Sequence, residues 1–437
     1  MDSIILNKKK LSASPLRRDA LKIIESAYEA IDIKKLTKRR FKVRGNYLEV
    51  CDLTTKDRIH LEEFERIFVV GFGKGSYSAV SVMAGSLGKR LTQAVALDVK
   101  ESFRPSETNP KVKIYWGTHP KPSMANVRAT AKIISLAKDA GKNDLVVYFV
   151  GGGGSSLLCG SVGELKYATW LFEKLTKKGA TIQDINIVRK HVSEVKGGNL
   201  AKFTYPAASL SLIVSDVCGN PLNTIASGPT VYDKTTIEDS IAVLEEYKIP
   251  LKGISFVETP KDRHYFDRCK YFLLACNEDA AVAMLDKSRN LGYLATIGSL
   301  MVAGESRGAI FPFMKRVGKN QALILAGETT VKIRGGGKGG RNQELCLSVL
   351  DWADKNRDDL SNLLVASFGS DGYDNTPVAG AIADEISLKN SEKLNLKPSK
   401  FLLKNDSYTF FKKTGDFIKV ERKSFNVADL MVILRGK

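Results

Sequence analysis

Three glycine-rich stretches carry a cation or hydroxyls where anion chemistry could occur: GFGKGS (71–76), GGGGSS (151–156) and RGGGKGGRNQE (334–344). Inside a regular element glycine costs roughly 0.5–1 kcal/mol relative to alanine, so such clusters need a reason. Either they are linkers, or their backbone must turn sharply and come close to something charged. In GFGKGS, Lys74 is either a solvated turn lysine or a cation at a helix N-terminus. In the second case its ammonium meets an anion alongside free backbone N–H groups, with Gly73 letting the backbone approach. Gly152 and Gly153, with Ser155 and Ser156, could form an oxyanion or phosphate nest. The pattern is not GxSxG, which argues against a serine hydrolase. RGGGKGGR runs directly into NQELCLSVLDWADK, which has helical apolar spacing, so a linker fits poorly. Arg341 then stands in the first turn of a helix, where a cation opposes the macrodipole. A bound anion would remove that cost, with Gly337, Gly339 and Gly340 admitting phosphate oxygens and Arg341 acting as a bidentate clamp.

Carboxylates accompany these loops. SDVCGNPLNTIASGPTVYD (215–233) offers Asp216 and Asp233, either as ligands of a hard cation such as Mg²⁺ or as turn formers capping backbone amides. GSDGYDN (369–375) offers Asp371 and Asp374 for a metal or for accepting a hydroxyl proton, although its spacing does not match a calcium loop. The six cysteines form no CxxC pair and the four histidines no HExxH, which argues against structural zinc. GxGxxG fails at Ser76, although Asp98 stands near the spacing of a ribose-binding acid, and no Walker A loop occurs.

The elements that must position these groups are βα units, because apolar β-branched runs alternate with segments of helical period. RIFVVGFG, DLVVYFV, SLSLIVSD, NLLVASFGSDG and VADLMVILRG read as strands. KYFLLACN, EDAAVAMLDKSRNLG and YLATIGSL read together as one βαβ unit, and QALILAGETTVKIR as two strands joined at Gly327. The chemistry-bearing loops follow strand C-termini, where ligands bind in open α/β sheets. Prolines and charges in Lys248–Asp267 suggest a boundary between two α/β domains, 1–247 and 248–437, with the last strand packing back on the first domain.

The 437 residues are 43% hydrophobic and 26% charged, ordinary for a globular chain. No run approaches the ~18–20 apolar residues of a membrane span, and MDSIILNKKKLSASP contains no secretion h-region, so a cytoplasmic protein is expected. Of the net charge of +19, residues 1–45 supply 13 basic against 5 acidic side chains. Leu16, Leu21, Ile24, Ala27, Tyr28 and Ile31 give that segment an amphipathic helix with a solvated basic face. It lacks the aromatic interleaving of single-strand binders, so no nucleic-acid partner is expected.

The carriers VVGFGKGS, THPKP, GGGGSS, VRKHVSEVKGGNLA, SDVCGNPLNTIASGPTVYD, GETTVKIRGGGKGGRNQE and GSDGYDNTPVAGA resemble, in this order, the class II glycerate kinases with their C-terminal MOFRL segment. The resemblance runs from about Pro15 to Leu434. It implies two α/β domains, the first Rossmann-like with a doubly wound, mostly parallel sheet, and an active site in the cleft between them. It also implies transfer of the ATP γ-phosphoryl group to D-glycerate, at the 2-hydroxyl, with Mg²⁺ or another divalent cation. Lys74 and Arg341 match the residues most associated with catalysis. Ser155, Lys196, Gly197 and Gly198 would line the same cleft, while Glu328, Asn342 and Glu344 would orient the loop or the substrate. Expected partners are glycerate and ATP, with a homodimer and neither nucleic acid nor membrane. The chain departs from the family at Asn220, where an acidic residue is usual, and in DGYDNTPVAGA, which is one residue shorter. The metal then rests on Asp216 or Asp371. The runner-up is an NAD(P)H-dependent hydroxypyruvate reductase, a label some members once carried, and the missing GxGxxG counts against it. A third reading, a non-catalytic anion binder driven by the charge, leaves the combination of Lys74, Arg341 and all the loops without a purpose.

Overall fold

The computed structural model describes residues 3–100, 109–358, 360–421 and 426–436. It divides into one unit of Ile33–Ala275 and another of Met1–Asp32 with Cys276–Lys437.

In the unit Ile33–Ala275, six strands form one sheet: β1 (Arg66–Phe72), β2 (Leu91–Val99), β3 (Val112–Gly117), β4 (Asp144–Val150), β5 (Ala208–Val214) and β6 (Cys269–Ala275). Their order is β3-β2-β1-β4-β5-β6, and every pair is parallel. This is the doubly wound Rossmann order, 3-2-1-4-5-6. Its central strands read as continuous apolar runs because helices cover both faces of a parallel sheet. All seven residues of β4 are buried. Phe72, Val95, Ile133, Tyr148 and Leu200 share one core cluster. The strand order reverses between β1 and β4, which makes their carboxyl ends the topological switch point of the sheet. A three-stranded antiparallel sheet of Phe41–Arg44, Tyr47–Cys51 and Lys56–His60 belongs to the same unit.

The second unit carries a mixed sheet of β7 (Leu294–Val302), β8 (Gln321–Gly327), β9 (Leu363–Gly369), β10 (Gly380–Asp384), β11 (Phe417–Ile418) and β12 (Asp429–Arg435). Their order is β7-β8-β12-β9-β10-β11. Only β7 and β8 are parallel; β12 runs antiparallel to both of its neighbours. Leu345, Leu350, Val365, Phe410 and Ile433 form the core on one face.

Several sequence expectations change. The boundary lies at 275/276 and 32/33 rather than 247/248, because β6 completes the first sheet beside β5. Lys248–Asp267 belongs to the first unit, where Thr259 and Lys261 bond the Asp233–Thr235 turn. The expected βαβ unit is split: β6 and β7 lie in different sheets, and hydrophobic period alone does not report pairing. In QALILAGETTVKIR only β8 forms, since Thr330 makes a single isolated bridge to Glu305. The last strand packs in its own unit's sheet, between β8 and β9, and not on the first domain. The helix Pro15–Ala30 is also less solvated on its basic side than expected. Arg17 is buried, forked onto Asp384 at 2.6 Å and paired with Asp416 at 2.8 Å. Among the described residues no helix is long and apolar enough to cross a membrane.

Candidate active site

At the switch point the loops after β1 and β4 lock together by their backbones. The Lys74 N–H donates to Gly152 O at 2.9 Å and the Gly151 N–H to Phe72 O at 2.8 Å. Gly73 has φ +104°, and a Cβ there would overlap the Gly151 backbone, so both its dihedral and its neighbour demand glycine. The helix Ser76–Leu87 starts at once, and its first N–H groups are not free for a ligand as the sequence suggested. Asp98, at the end of β2, accepts from the Gly75 and Tyr77 N–H groups at 3.2 and 3.0 Å. A buried carboxylate there is favoured by the helix dipole. That task also takes Asp98 away from a ribose. The ammonium of half-buried Lys74 is left without a hydrogen bond or ion pair among the described residues.

The GGGGSS segment keeps donors available. No carbonyl or side chain among the described residues accepts from the Gly152 or Gly153 N–H, whereas Gly154 and Ser156 bond within the turn. Half-buried Asp216 follows β5, and a Cβ on Gly152 would lie 3.2 Å from its Oδ2. Lys74, Gly152 and Asp216 therefore come from the carboxyl ends of three adjacent strands, β1, β4 and β5.

In the other unit, strand register assembles the site. Because β12 is antiparallel to both neighbours, its first residue, Asp429, pairs opposite Gly327 and Gly369, where β8 and β9 end. Glu328 follows β8, and Asp371 follows β9 by two residues. Arg341, first residue of the helix Arg341–Asn356, forks onto Asp429 through Nε and Nη2, the latter at 3.2 Å. Its Nη1 donates to Glu328. Burial pushes the Asp429 carboxyl up to about 7 against the pull of Arg341. Burial would lower the Arg341 pKa, but Asp429 and then Glu328 outweigh it and the value is raised. The bidentate geometry favours the charged form of the pair against that burial.

Asp374 does not face outward as a metal or proton-accepting candidate would. It is buried and accepts the N–H groups of Asn342 and Gln343 at 3.2 and 2.9 Å, capping the helix that Arg341 opens. Burial raises its pKa and those donors oppose the rise. Asn342 is buried too, tied to Asp374 and to Ser367 of β9. Half-buried Asp371 accepts the Tyr373 N–H at 3.0 Å. Gly337, Gly339 and Gly340 are glycines for a reason other than phosphate approach. Side chains there would overlap Asp406, Ser407 and Asp374, respectively.

The Lys196 ammonium is buried, paired with Glu164 and bonded to Leu158 O at 2.8 Å. Gly197 and Gly198, with φ +58° and +88°, bond Ser227 O and Gly228 O at 2.9 and 2.8 Å, joining the KGG and SGP turns. Asp233 is buried against Lys190 at 2.9 Å, so it is a structural partner and no metal candidate. Glu344 receives Arg307 and Asn405, and Asn405 in turn accepts the Arg334 and Gly335 N–H groups, anchoring the loop's start. Sequence reasoning missed Asp429, an acid opening an otherwise apolar strand, which was its available signal. It also missed Tyr28 as a site neighbour. Tyr28 donates to Gly369 O at 2.8 Å, and burial, then Asp371 and Asp429, raise its pKa.

A Rossmann sheet whose switch-point lysine has no hydrogen bond or ion pair among the described residues, joined in one chain to a mixed-sheet unit holding an arginine–carboxylate cluster, defines a two-unit α/β protein. Residues 19–255 match the family described as "Domain of unknown function (DUF4147)", and residues 321–429 match the MOFRL family. The D-glycerate 2-kinase of Thermotoga maritima is 33% identical over 87% of this chain and 93% of its own. A glycerate 2-kinase of Pyrococcus horikoshii is 32% identical over 97% and 98%. The crystal structure of a glycerate kinase from Thermotoga maritima superposes with a TM-score of 0.82 at 30% identity, covering 96% of this chain and 99% of that one. The chain belongs to the glycerate 2-kinase family.

Proposed function

We propose that the protein transfers the γ-phosphoryl group of ATP to the 2-hydroxyl of D-glycerate, giving 2-phosphoglycerate and ADP. The observation that carries the reading, together with family membership, is the Lys74 ammonium at the switch point, which has no hydrogen bond or ion pair among the described residues. In this transfer the substrate C2 oxygen bonds to the γ-phosphorus while the bond from that phosphorus to the β–γ bridging oxygen breaks. The protein needs to position both reactants and neutralise charge spread over the equatorial oxygens, and it forms no covalent bond itself. Lys74 supplies a cation at the phosphoryl group, with the Gly152 and Gly153 N–H groups as further donors. Arg341 supplies a second cation, its Nε edge fixed by Asp429 and its Nη1 side held, among the described residues, only by Glu328, which is half exposed. The reading gives the hydroxyl proton to the Asp371 carboxylate.

Among the described residues no group of three or more His, Cys, Asp or Glu converges as a metal cage. That fits Mg²⁺, which takes one or two carboxylates and completes its sphere with water and phosphate. Asp216 is the residue that would hold it, and the ion would supply charge neutralisation at the phosphates. A reductase reading gains nothing from the structure, because Asp98 is occupied at the helix start.

The test is ADP release from ATP and Mg²⁺ with D-glycerate, the product being passed to enolase with and without phosphoglycerate mutase. Immediate enolase turnover is expected. Turnover that needs the mutase would move the phosphate to the 3-position, and no ADP release would overturn the kinase reading.

A further inference from the structure

Within the unit Ile33–Ala275, a cavity of about 100 Å³ opens among the THPKP turn, the GGGGSS turn and two helices, Val162–Lys177 and Ile182–His191. That is roughly three times the ~30 Å³ a water takes in the liquid, room for a three-carbon acid. Three cations line it, and they are not equivalent. Lys196 is neutralised by buried Glu164, and Lys121 by Glu173 at 2.7 Å. Arg189 has neither a carboxylate nor a hydrogen-bond partner among the described residues. Phe172 covers one face of its guanidinium, 4.6 Å from ring centroid to Cζ, which leaves the planar edge available. Burial alone lowers its pKa to about 10, so the cation is partly desolvated with nothing in return.

The serines complete a pattern of donors and acceptors. Ser227 Oγ donates to Asn186 Oδ1 at 2.8 Å, so the 3.0 Å contact between Ser155 and Ser227 runs from Ser155 to Ser227. Ser155 Oγ is thereby left as an acceptor facing the cavity. The Ser156 hydroxyl has no protein partner among the described residues and can donate. An unpaired guanidinium with one hydroxyl donor suits a carboxylate, and a committed acceptor beside them suits a hydroxyl. We infer that this pocket binds the small 2-hydroxy acid itself, with Arg189 and Ser156 receiving its carboxylate and Ser155 accepting from a hydroxyl. The inference rests on the kinase reading for the identity of the acid, and it adds which residues select it.

The experiment compares the full chain with Arg189→Gln, Arg189→Lys and Ser156→Ala. It measures steady-state kinetics for both substrates, and calorimetric binding of D-glycerate and of glycerol, which lacks the carboxylate. The parent is expected to bind D-glycerate and not glycerol. Arg189→Gln should raise the KM for D-glycerate about 10–100-fold, with kcat and the KM for ATP nearly unchanged. Arg189→Lys should recover part of this, and Ser156→Ala should cost about 3–10-fold. Removing a cation that has no carboxylate or hydrogen-bond partner among the described residues should leave the unfolding midpoint no lower than the parent's, and D-glycerate should raise that midpoint most in the parent and not at all in Arg189→Gln. If Arg189→Gln melts lower, the lysine and serine variants decide. An unchanged KM for D-glycerate, or a rise in the KM for ATP instead, overturns the subsite while leaving the kinase reading intact. Binding of D-glycerate that depends on Arg189 without phosphorylation upholds the subsite and overturns the kinase reading. A parent that does not bind D-glycerate overturns the subsite.

Discussion

Gly73 and Gly340 each lie next to a basic residue at the start of a helix, yet the two units treat that cation in opposite ways. Around Gly73 the backbone of one loop fills the space a side chain would need, and Asp98 spends its carboxylate on backbone N–H groups. Asp98 caps the helix and Lys74 keeps its charge for something else. Around Gly340 the space is taken by Asp374, which caps the helix, and Arg341 is already paired twice. The first arrangement keeps a cation ready for an incoming anion. The second fixes a guanidinium in place by its inner edge and leaves its outer edge on an exchangeable, half-exposed glutamate. On the proposed function, Lys74 would act by its charge alone and Arg341 through the geometry that Asp429 sets.

That contrast can be broken by substitution. Arg341→Ala should have the largest effect, because it removes a charge stabiliser and also strands buried Asp429. A fall in kcat of about 10²–10³-fold is expected, with a loss of about 3–5 kcal/mol in urea unfolding. Stability equal to the parent's would mean the pair is not holding anything. Asp233→Asn asks whether the first unit simply pairs its cations poorly. Lys190 is buried against Asp233, so the substitution should cost about 3 kcal/mol or more at neutral pH. Although burial pushes the Asp233 pKa up, Lys190 and Thr235 outweigh it and hold it below its usual value. Its contribution is therefore complete above the unfolded pKa of about 3.9 and is lost as pH falls through the lower folded value. The variant's stability should fall less steeply than the parent's below about pH 4 in urea titrations, and parallel curves would refute the pairing. Gly340→Ala should cost about 1–3 kcal/mol through overlap with Asp374. Gly336→Ala, with nothing within 4 Å of its Cβ, should stay within about 0.5 kcal/mol. Equal effects at these two glycines would show that the loop is governed by flexibility and not by close packing.

The strand ends were legible in the sequence because an apolar run closed abruptly by small and charged residues marks a buried strand passing into a loop. RIFVVGFG and DLVVYFV became β1 and β4, and Lys74 and Gly152 stand just beyond them. Pairing across long separations was not legible. Asp429 reaches Arg341 only because β12 inserts antiparallel between β8 and β9, and no local pattern encodes that register. The RGGGKGG glycines looked like a phosphate cradle because local reading does not see residues 404–407 or Asp374 arriving from elsewhere in the chain. Arg189 escaped notice for the same reason. In VRKH it looks like any basic residue on a helix, and its lack of a carboxylate or hydrogen-bond partner among the described residues exists only in three dimensions.

The most direct test of the central claim is phosphoryl transfer from ATP to D-glycerate by the parent and by Lys74→Ala, measured beside their unfolding midpoints. The account predicts turnover in the parent, a loss of about 10²-fold or more in kcat for the variant, and midpoints that coincide within about 0.5 kcal/mol. Near-parent turnover in the variant, or no transfer by the parent, would contradict it.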